Sequence, residues 1–93
     1  MVYEIIYEMN PAIEYNDRMI EEMRSLGECQ HIVPNVWFIR SSLPIEEINK
    51  RLTTYLEKDS GEKLMVIGLP NNITYKGWLP KSFWPWLKKS INL

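Results

Sequence analysis

Two glutamates, Glu4 and Glu8, are the first residues along the chain whose type and spacing could support chemistry. They lie four residues apart in a β-rich run, which places them on one strand face about 13 Å from each other. Paired-carboxylate catalysis needs groups about 5–10 Å apart, and a shared metal ion needs them closer still. We therefore expect solvated charges on a sheet face. A two-fold axis would bring Glu8 against its own copy, which leaves open a site shared by two subunits.

The single histidine, His31, and the single cysteine, Cys29, exclude further classes of site. A zinc tetrad within one chain lacks the Cys and His residues to complete it, and no G-x-S-x-G motif supports a serine nucleophile. The four glycines are scattered and form no phosphate-binding loop. We expect a hydrogen-bonded sheet histidine, a packed thiol, no metal site and no small-molecule cofactor.

Aromatic residues beside lysines distinguish the C-terminal part of the chain. The aromatic members are Trp78, Phe83, Trp84 and Trp86, and the lysines are Lys76, Lys81, Lys88 and Lys89. Such a set can stack bases and hold phosphates. Its rings can equally cover the open face of a sheet or a partner. We favour packing or self-association, and we expect Trp37 and Phe38 to join the same hydrophobic system.

Length and charge limit the functional classes. The 93 residues predict a single domain, and the 45% apolar and 25% charged fractions are typical of globular proteins. A net charge of −1 argues mildly against a partner bound through phosphates, although a locally basic ridge on a dimer would escape that argument. Neither a leader nor a membrane-spanning run is predicted, so we expect a cytoplasmic protein.

Hydrophobic periodicity predicts the elements that position these residues. The run from Val2 to Met9 predicts a strand with Tyr3, Ile5, Tyr7 and Met9 on one face. Because the other face is mixed, the pattern indicates a strand with helices on one side and a wetter surface opposite.

Amphipathic spacing predicts a helix between an N-cap at Asn16-Asp17 and a stop at Gly27. Two β-rich runs then follow, from Cys29 to Val33 and from Val36 to Arg40. The Pro34-Asn35 turn between them predicts a hairpin.

Ser41-Ser42-Leu43-Pro44 predicts the start of a second helix, and Asp59-Ser60-Gly61 predicts its end. The run from Lys63 to Leu69 predicts a further strand. In the tail, Ser82 is the predicted cap of a final helix that continues to about Ile91.

The order β-α-β-β-α-β predicts a ferredoxin-like α+β sandwich over residues 1–69. Right-handed crossovers would interleave its two βαβ units into a four-stranded antiparallel sheet with two helices on one face. Residues 70–93 form an aromatic-rich C-terminal extension of the same domain.

Short motifs spread over nearly the whole chain resemble a known group. The first strand closes on Tyr7-Glu8-Met9-Asn10. The other motifs are Ser25-Leu26-Gly27, Val36-Trp37-Phe38-Ile39, Pro44-Ile45-Glu46-Glu47-Ile48, Gly77-Trp78-Leu79 and Trp86-Leu87-Lys88. With these motifs the chain resembles the small bacterial proteins labelled SinR-like. It is also similar to the CRISPR-associated ferredoxin-like subunit of the spacer-integration complex and its VapD-type relatives.

The resemblance implies a homodimer and a link to nucleic-acid biology, bacterial defence or mobile elements. In the CRISPR-associated group, an aspartate at the end of strand one is proposed in some members to bind a divalent ion for RNA or DNA cleavage. Glu8 is the residue that matches this position, and it is one methylene longer. The longer side chain weakens the expectation of nuclease activity.

Three functional hypotheses follow, and the first is a non-enzymatic homodimeric interaction or scaffold module. Its predicted dimer or docking surface comprises Val2, Ile6, Trp37, Phe38, Trp78, Phe83, Trp84 and Trp86. The second is a metal-dependent nuclease in which Glu8 from each subunit holds one Mg or Mn ion. The third is a nucleic-acid-binding dimer without catalysis, which would use Arg40, Lys76, Lys81, Lys88 and Lys89.

Overall fold

The chain folds into a four-stranded antiparallel sheet with three helices, counted over residues 1–8, 17–56, 59 and 61–92, which its computed structural model describes. The strands are β1 (Val2–Glu8), β2 (Glu28–Val33), β3 (Val36–Arg40) and β4 (Lys63–Leu69). The helices are α1 (Asp17–Ser25), α2 (Ile45–Thr53) and α3 (Phe83–Ile91). Met9 and Asn16, a predicted strand residue and a predicted cap residue, lie outside the described residues.

The strand order is β2-β3-β1-β4, with every neighbouring pair antiparallel. Because β1 lies between β3 and β4, and β3 lies between β1 and β2, the units β1-α1-β2 and β3-α2-β4 interleave. The predicted α+β class and antiparallel sheet are therefore confirmed. The addition to this two-helix pattern is α3, which follows β4.

One face of the sheet forms the main core with α1 and α2. Tyr3, Ile5 and Tyr7 are all buried on this face, as the alternation in β1 predicts. Met19 and Met23 of α1 pack against them and are fully buried. The remaining buried members of this core are Ile20, Leu26, Trp37, Ile39, Ile48 and Leu52.

The opposite face is covered in part by α3. Phe83, Leu87 and Ile91, which recur every fourth residue, are buried together with Val2 of β1. Phe38 of β3 packs against this second cluster, with its ring centroid 4.8 Å from that of Phe83. The helix of the C-terminal extension thus docks on the chain's own sheet. The sheet therefore lies between two apolar clusters, and the cluster on the side of α1 and α2 is the larger.

The predicted end of α2 at residues 59–61 is wrong, since the helix stops at Thr53. The hydroxyls of Thr53 and Thr54 both donate to the carbonyl oxygen of Lys50, at 3.2 and 2.9 Å. Threonine side chains of this kind compete with the backbone for helical hydrogen bonds. Tyr55 and Leu56 follow the helix and still pack half-buried against the main core.

The predicted span of α3 and its predicted N-cap position at Ser82 are confirmed, but the cap is not made by a side-chain hydrogen bond. The backbone N–H of Phe83 instead donates to the carbonyl oxygen of Pro80 at 3.0 Å, so a backbone turn starts the helix.

Candidate functional site

Polar contacts at one end of the sheet hold α3 in place. The indole Nε1–H of Trp86 donates to Glu28 at 2.8 Å, and Glu28 also forms an ion pair with Arg40. Arg40 in turn lies 3.4 Å from the hydroxyl of Ser90, which is buried on the inner side of α3. Arg40 is therefore engaged within the chain, whereas the other four predicted nucleic-acid-binding residues are exposed lysines.

The eight residues of the predicted dimer or docking surface lie in different environments. Val2 and Phe83 are buried beneath α3, where they contact the chain itself. Phe38, Trp84 and Trp86 are half-buried members of the same cluster. Ile6 is half-buried on the same face, outside that cluster, and Trp78 is 99% exposed. The remaining residue, Trp37, lies on the other face.

The expectation that Trp37 joins the same hydrophobic system as Phe38 is wrong. Trp37 pairs in register with Ile5, so its side chain belongs to the main core beneath the helices. The ring of His31 stacks on it, with centroids 3.8 Å apart and planes within 8°. His31 Nε2 also lies 3.1 Å from the carbonyl oxygen of Pro34. This is the hydrogen-bonded sheet histidine that the sequence predicts.

An apolar row beyond α3 crosses all four strands, and we call it the apolar strip (Val33, Val36, Ile6 and Met65). The four residues are in register across the sheet, from β2 through β3 and β1 to β4. Met65 is 53% exposed and Val33 is 39% exposed. None of the four belongs to either core cluster found over the described residues. The strip ends at β4, an edge strand.

Glu8 lies next to the apolar strip and makes an ion pair with the chain's own Lys63. The Oε2–Nζ distance is 3.7 Å, and both side chains are mostly exposed. Within the described parts of the chain, no three His, Cys, Asp or Glu side chains come together as metal ligands would. A lysine ammonium beside a lone carboxylate opposes a divalent cation electrostatically. Within one chain, the described residues at Glu8 therefore do not form a magnesium or manganese site.

The segment before α3 presents aromatic rings and lysines to solvent. Tyr75 stacks on Trp84, with centroids 5.8 Å apart and planes within 4°. Trp78 is almost completely exposed. The four predicted lysines, Lys76, Lys81, Lys88 and Lys89, are all exposed. We call Tyr75, Trp78, Trp84 and these lysines the aromatic–lysine surface.

An asymmetry of charge along the sequence is a further signal for this surface, one that the net charge does not show. Residues 63–93 contain five lysines and no acidic residue. The first 62 residues carry the other six basic residues and all twelve acidic ones, which gives them a formal charge of −6. The net charge of −1 hides a positive C-terminal third. Both β4 and α3 belong to this positive part of the chain.

No protein-family model and no curated protein matches the chain. None of the helices in the described ranges has the length and apolar character needed to cross a bilayer. The apolar strip and the aromatic–lysine surface are the two exposed features that bear on function.

Proposed function

We propose that the chain is a non-enzymatic interaction or scaffold module that forms a homodimer in the cytoplasm through the apolar strip. The observation that carries this proposal is the exposure of Met65 and Val33 at the two ends of a continuous apolar row. Exposed contiguous apolar area is costly in water and is typical of association surfaces. A link to defence systems or mobile elements rests on the motif resemblance alone.

The edge strand β4 supports a two-fold arrangement. Between Leu64 and Leu69 the strand contains neither proline nor charge, so it lacks the features that usually protect an edge from pairing. A C2 interface brings the same patch of both subunits together. Antiparallel pairing of β4 with its copy would join the two apolar strips along one continuous face. Lys63, at the start of β4, would lie at the margin of that interface.

Size-exclusion chromatography with light scattering at tens of micromolar tests the proposal. We expect twice the chain mass for the wild type and the chain mass for Met65→Lys, because a buried unpaired ammonium disfavours an apolar interface. Asn49→Lys, which adds the same charge on exposed α2, is the matched control and should remain dimeric. A wild-type monomer, or a Met65→Lys dimer, would contradict the proposal.

Binding of single-stranded nucleic acid is a second candidate function, favoured by the exposure of Trp78. A tryptophan flanked by lysines on a basic segment combines base stacking with phosphate neutralisation. This arrangement favours flexible single strands, whose bases are available to stack on an exposed ring.

Fluorescence anisotropy with a labelled oligothymidylate at several salt concentrations tests this second function. We expect Trp78→Ala to weaken binding about tenfold, since stacking contributes about 1–3 kcal/mol per base. Lys81→Gln should reduce the salt dependence, whereas Lys50→Gln on α2 should leave binding unchanged. Equal affinity of the wild type and Trp78→Ala would exclude stacking on this residue.

A further inference from the structure

A small pocket lies between the sheet, the segment of residues 73–79 and the first turns of α3. Its volume is about 280 Å³, near the lower limit of small-molecule sites. The residues that matter for its chemistry are Glu4, Phe38, Tyr75, Lys76, Phe83 and Trp84. It lies on the face that α3 covers, away from the cleft beside Glu8 and Lys63.

Aromatic rings in mutual contact form the walls of this pocket. Phe83 contacts Phe38 at 4.8 Å and Trp84 at 5.4 Å between ring centroids. Trp84 is held on its other side by the parallel ring of Tyr75. Because Phe83 is fully buried, the base of the aromatic wall is fixed by the fold. The pocket is therefore formed before any ligand enters.

Glu4 is the one acidic residue that lines this pocket among the described residues. Its neighbours in register are Phe38 on β3 and Ile67 on β4, both apolar. The side chain is half-buried, and no described residue gives it a hydrogen bond or an ion pair. A carboxylate that is partly removed from water and has no partner is costly. A cation in the pocket would complete its environment.

The basic side chains near this face do not form an ion pair with Glu4 in the described structure. Arg40 is paired with Glu28, and Lys63 is paired with Glu8 at the far end of β1. Lys76 also lines the pocket, but it is exposed and makes no ion pair with Glu4 within the described structure. Cations are also attracted to the faces of aromatic rings such as those of Tyr75 and Trp84. The carboxylate of Glu4 and the aromatic walls of the pocket both favour a cationic ligand.

We propose that this pocket binds a small organic cation, an ammonium group on an apolar or aromatic body, with Glu4 accepting the ammonium. The body packs between Phe83, Trp84 and the sheet, and the ammonium forms a charge-assisted hydrogen bond with the carboxylate. The site is separate from the apolar strip, so it does not depend on the dimer.

The test is a titration of ¹⁵N-labelled protein at pH 7 with 2-phenylethylammonium, followed by amide and indole chemical shifts. We expect saturable shifts that include Glu4, Phe38 and the Trp84 indole. Binding should be about tenfold tighter than for 2-phenylethanol, which has the same body and no charge, because hydrogen bonds to charged groups are the stronger ones. The anion 3-phenylpropionate should bind more weakly than either compound.

Variants assign the effect to individual side chains. Glu4→Gln keeps the shape and should remove the tenfold preference for the ammonium, whereas Glu46→Gln, an exposed glutamate on α2, should retain it. Lys76→Met should leave the affinity for 2-phenylethylammonium equal or higher, since it removes a like charge from the rim. Unaltered spectra for Glu4→Gln without ligand show that its fold is intact.

Three results would overturn the proposal. The first is shifts confined to residues away from the pocket. The second is equal binding of the ammonium and the alcohol by the wild type. The third is tighter binding of 3-phenylpropionate that is lost in Lys76→Met, which would assign the pocket to an anion.

Discussion

Residue 27 lies where the chain has no room for a side chain. A Cβ on Gly27 would lie 2.0 Å from the carbonyl oxygen of Arg40, and backbone cannot move aside as a flexible side chain can. We expect Gly27→Ala to lower the free energy of unfolding by about 2–3 kcal/mol through this overlap. Urea denaturation measures the loss.

Gly61 provides the comparison, because its constraint is of a different kind. It has a φ of 82°, and a Cβ added to it would meet no atom within 4 Å, so only backbone strain opposes a side chain there. Gly61→Ala should cost about 1 kcal/mol. If Gly27→Ala is no more destabilising than Gly61→Ala, the close approach of Arg40 is not a constraint in solution.

The thiol of Cys29 is half-buried in β2 against the main core. Burial raises the pKa of Cys29 above its ordinary value, and the charge of Arg24 offsets part of that increase. The folded chain therefore holds less thiolate than the unfolded chain at mildly alkaline pH. Stability from this group is complete below the ordinary pKa and is lost as the pH rises through the higher folded pKa.

Alkylation of Cys29 by iodoacetamide should accordingly be slower than that of a free thiol at pH 8, and its rate should rise at higher pH than for the free thiol. Glutathione is the reference compound, and the denatured chain is the internal control. A folded chain that reacts as fast as glutathione at pH 8 would contradict the pKa shift.

The sequence predicts which sheet face a residue occupies where the two faces of the strand differ clearly in polarity. Tyr3, Ile5 and Tyr7 lie in the main core, on the face of β1 that carries no charge, whereas Glu4 and Glu8 lie on the other face. Trp37 could not be assigned to a face in this way, because Val36, Trp37, Phe38 and Ile39 are all apolar. Only the register with β1, a contact distant in sequence, determines which side Trp37 occupies.

At the scale of elements, α3 contributes stability through the row that it buries. We expect Phe83→Ala to lower the free energy of unfolding by about 3–5 kcal/mol, because Phe83 is 1% exposed and its removal leaves a cavity against Phe38. Trp78→Ala removes a larger ring that is 99% exposed and should change stability by less than about 0.5 kcal/mol. Denaturant unfolding compares the two variants directly.

If Phe83→Ala lowers the free energy of unfolding as little as Trp78→Ala does, then α3 is not docked on the sheet in solution. Amide exchange would then show residues 83–91 unprotected while β1 stays protected.

Element boundaries were predictable where periodicity and turn residues agree, as they do for β4 and α3. The end of α2 was not, because the apolar stripe continues through Tyr55 and Leu56 although the helix stops at Thr53. The segment of residues 73–79 has no period, so its contribution to the Glu4 pocket could not be predicted from sequence.

At the scale of the whole molecule, opposite charges are segregated between two parts of the chain. We expect the protein to be retained at pH 7 and low salt on a cation exchanger despite its net charge of −1, because the positive C-terminal third interacts locally. Replacement of both Lys88 and Lys89 by glutamine should lower the salt needed for elution.

The matched control replaces Arg18 and Arg24 of α1 by glutamine, which changes the net charge by the same amount. This variant should elute close to the wild type. If both double variants shift equally, the exchanger senses only net charge, and the segregation has no effect on binding.

The central position of β1 has a consequence for the kinetics of folding during synthesis. Its partners, β3 and β4, are encoded about 35 and 60 residues later, so the first strand leaves the ribosome long before either neighbour exists. The β2–β3 hairpin, whose contacts are local, can form early, whereas the sheet closes only after residue 69 has emerged. Until then Val2, Ile5 and Ile6 stay wet in the nascent polypeptide, which is when aggregation or chaperone capture competes with folding.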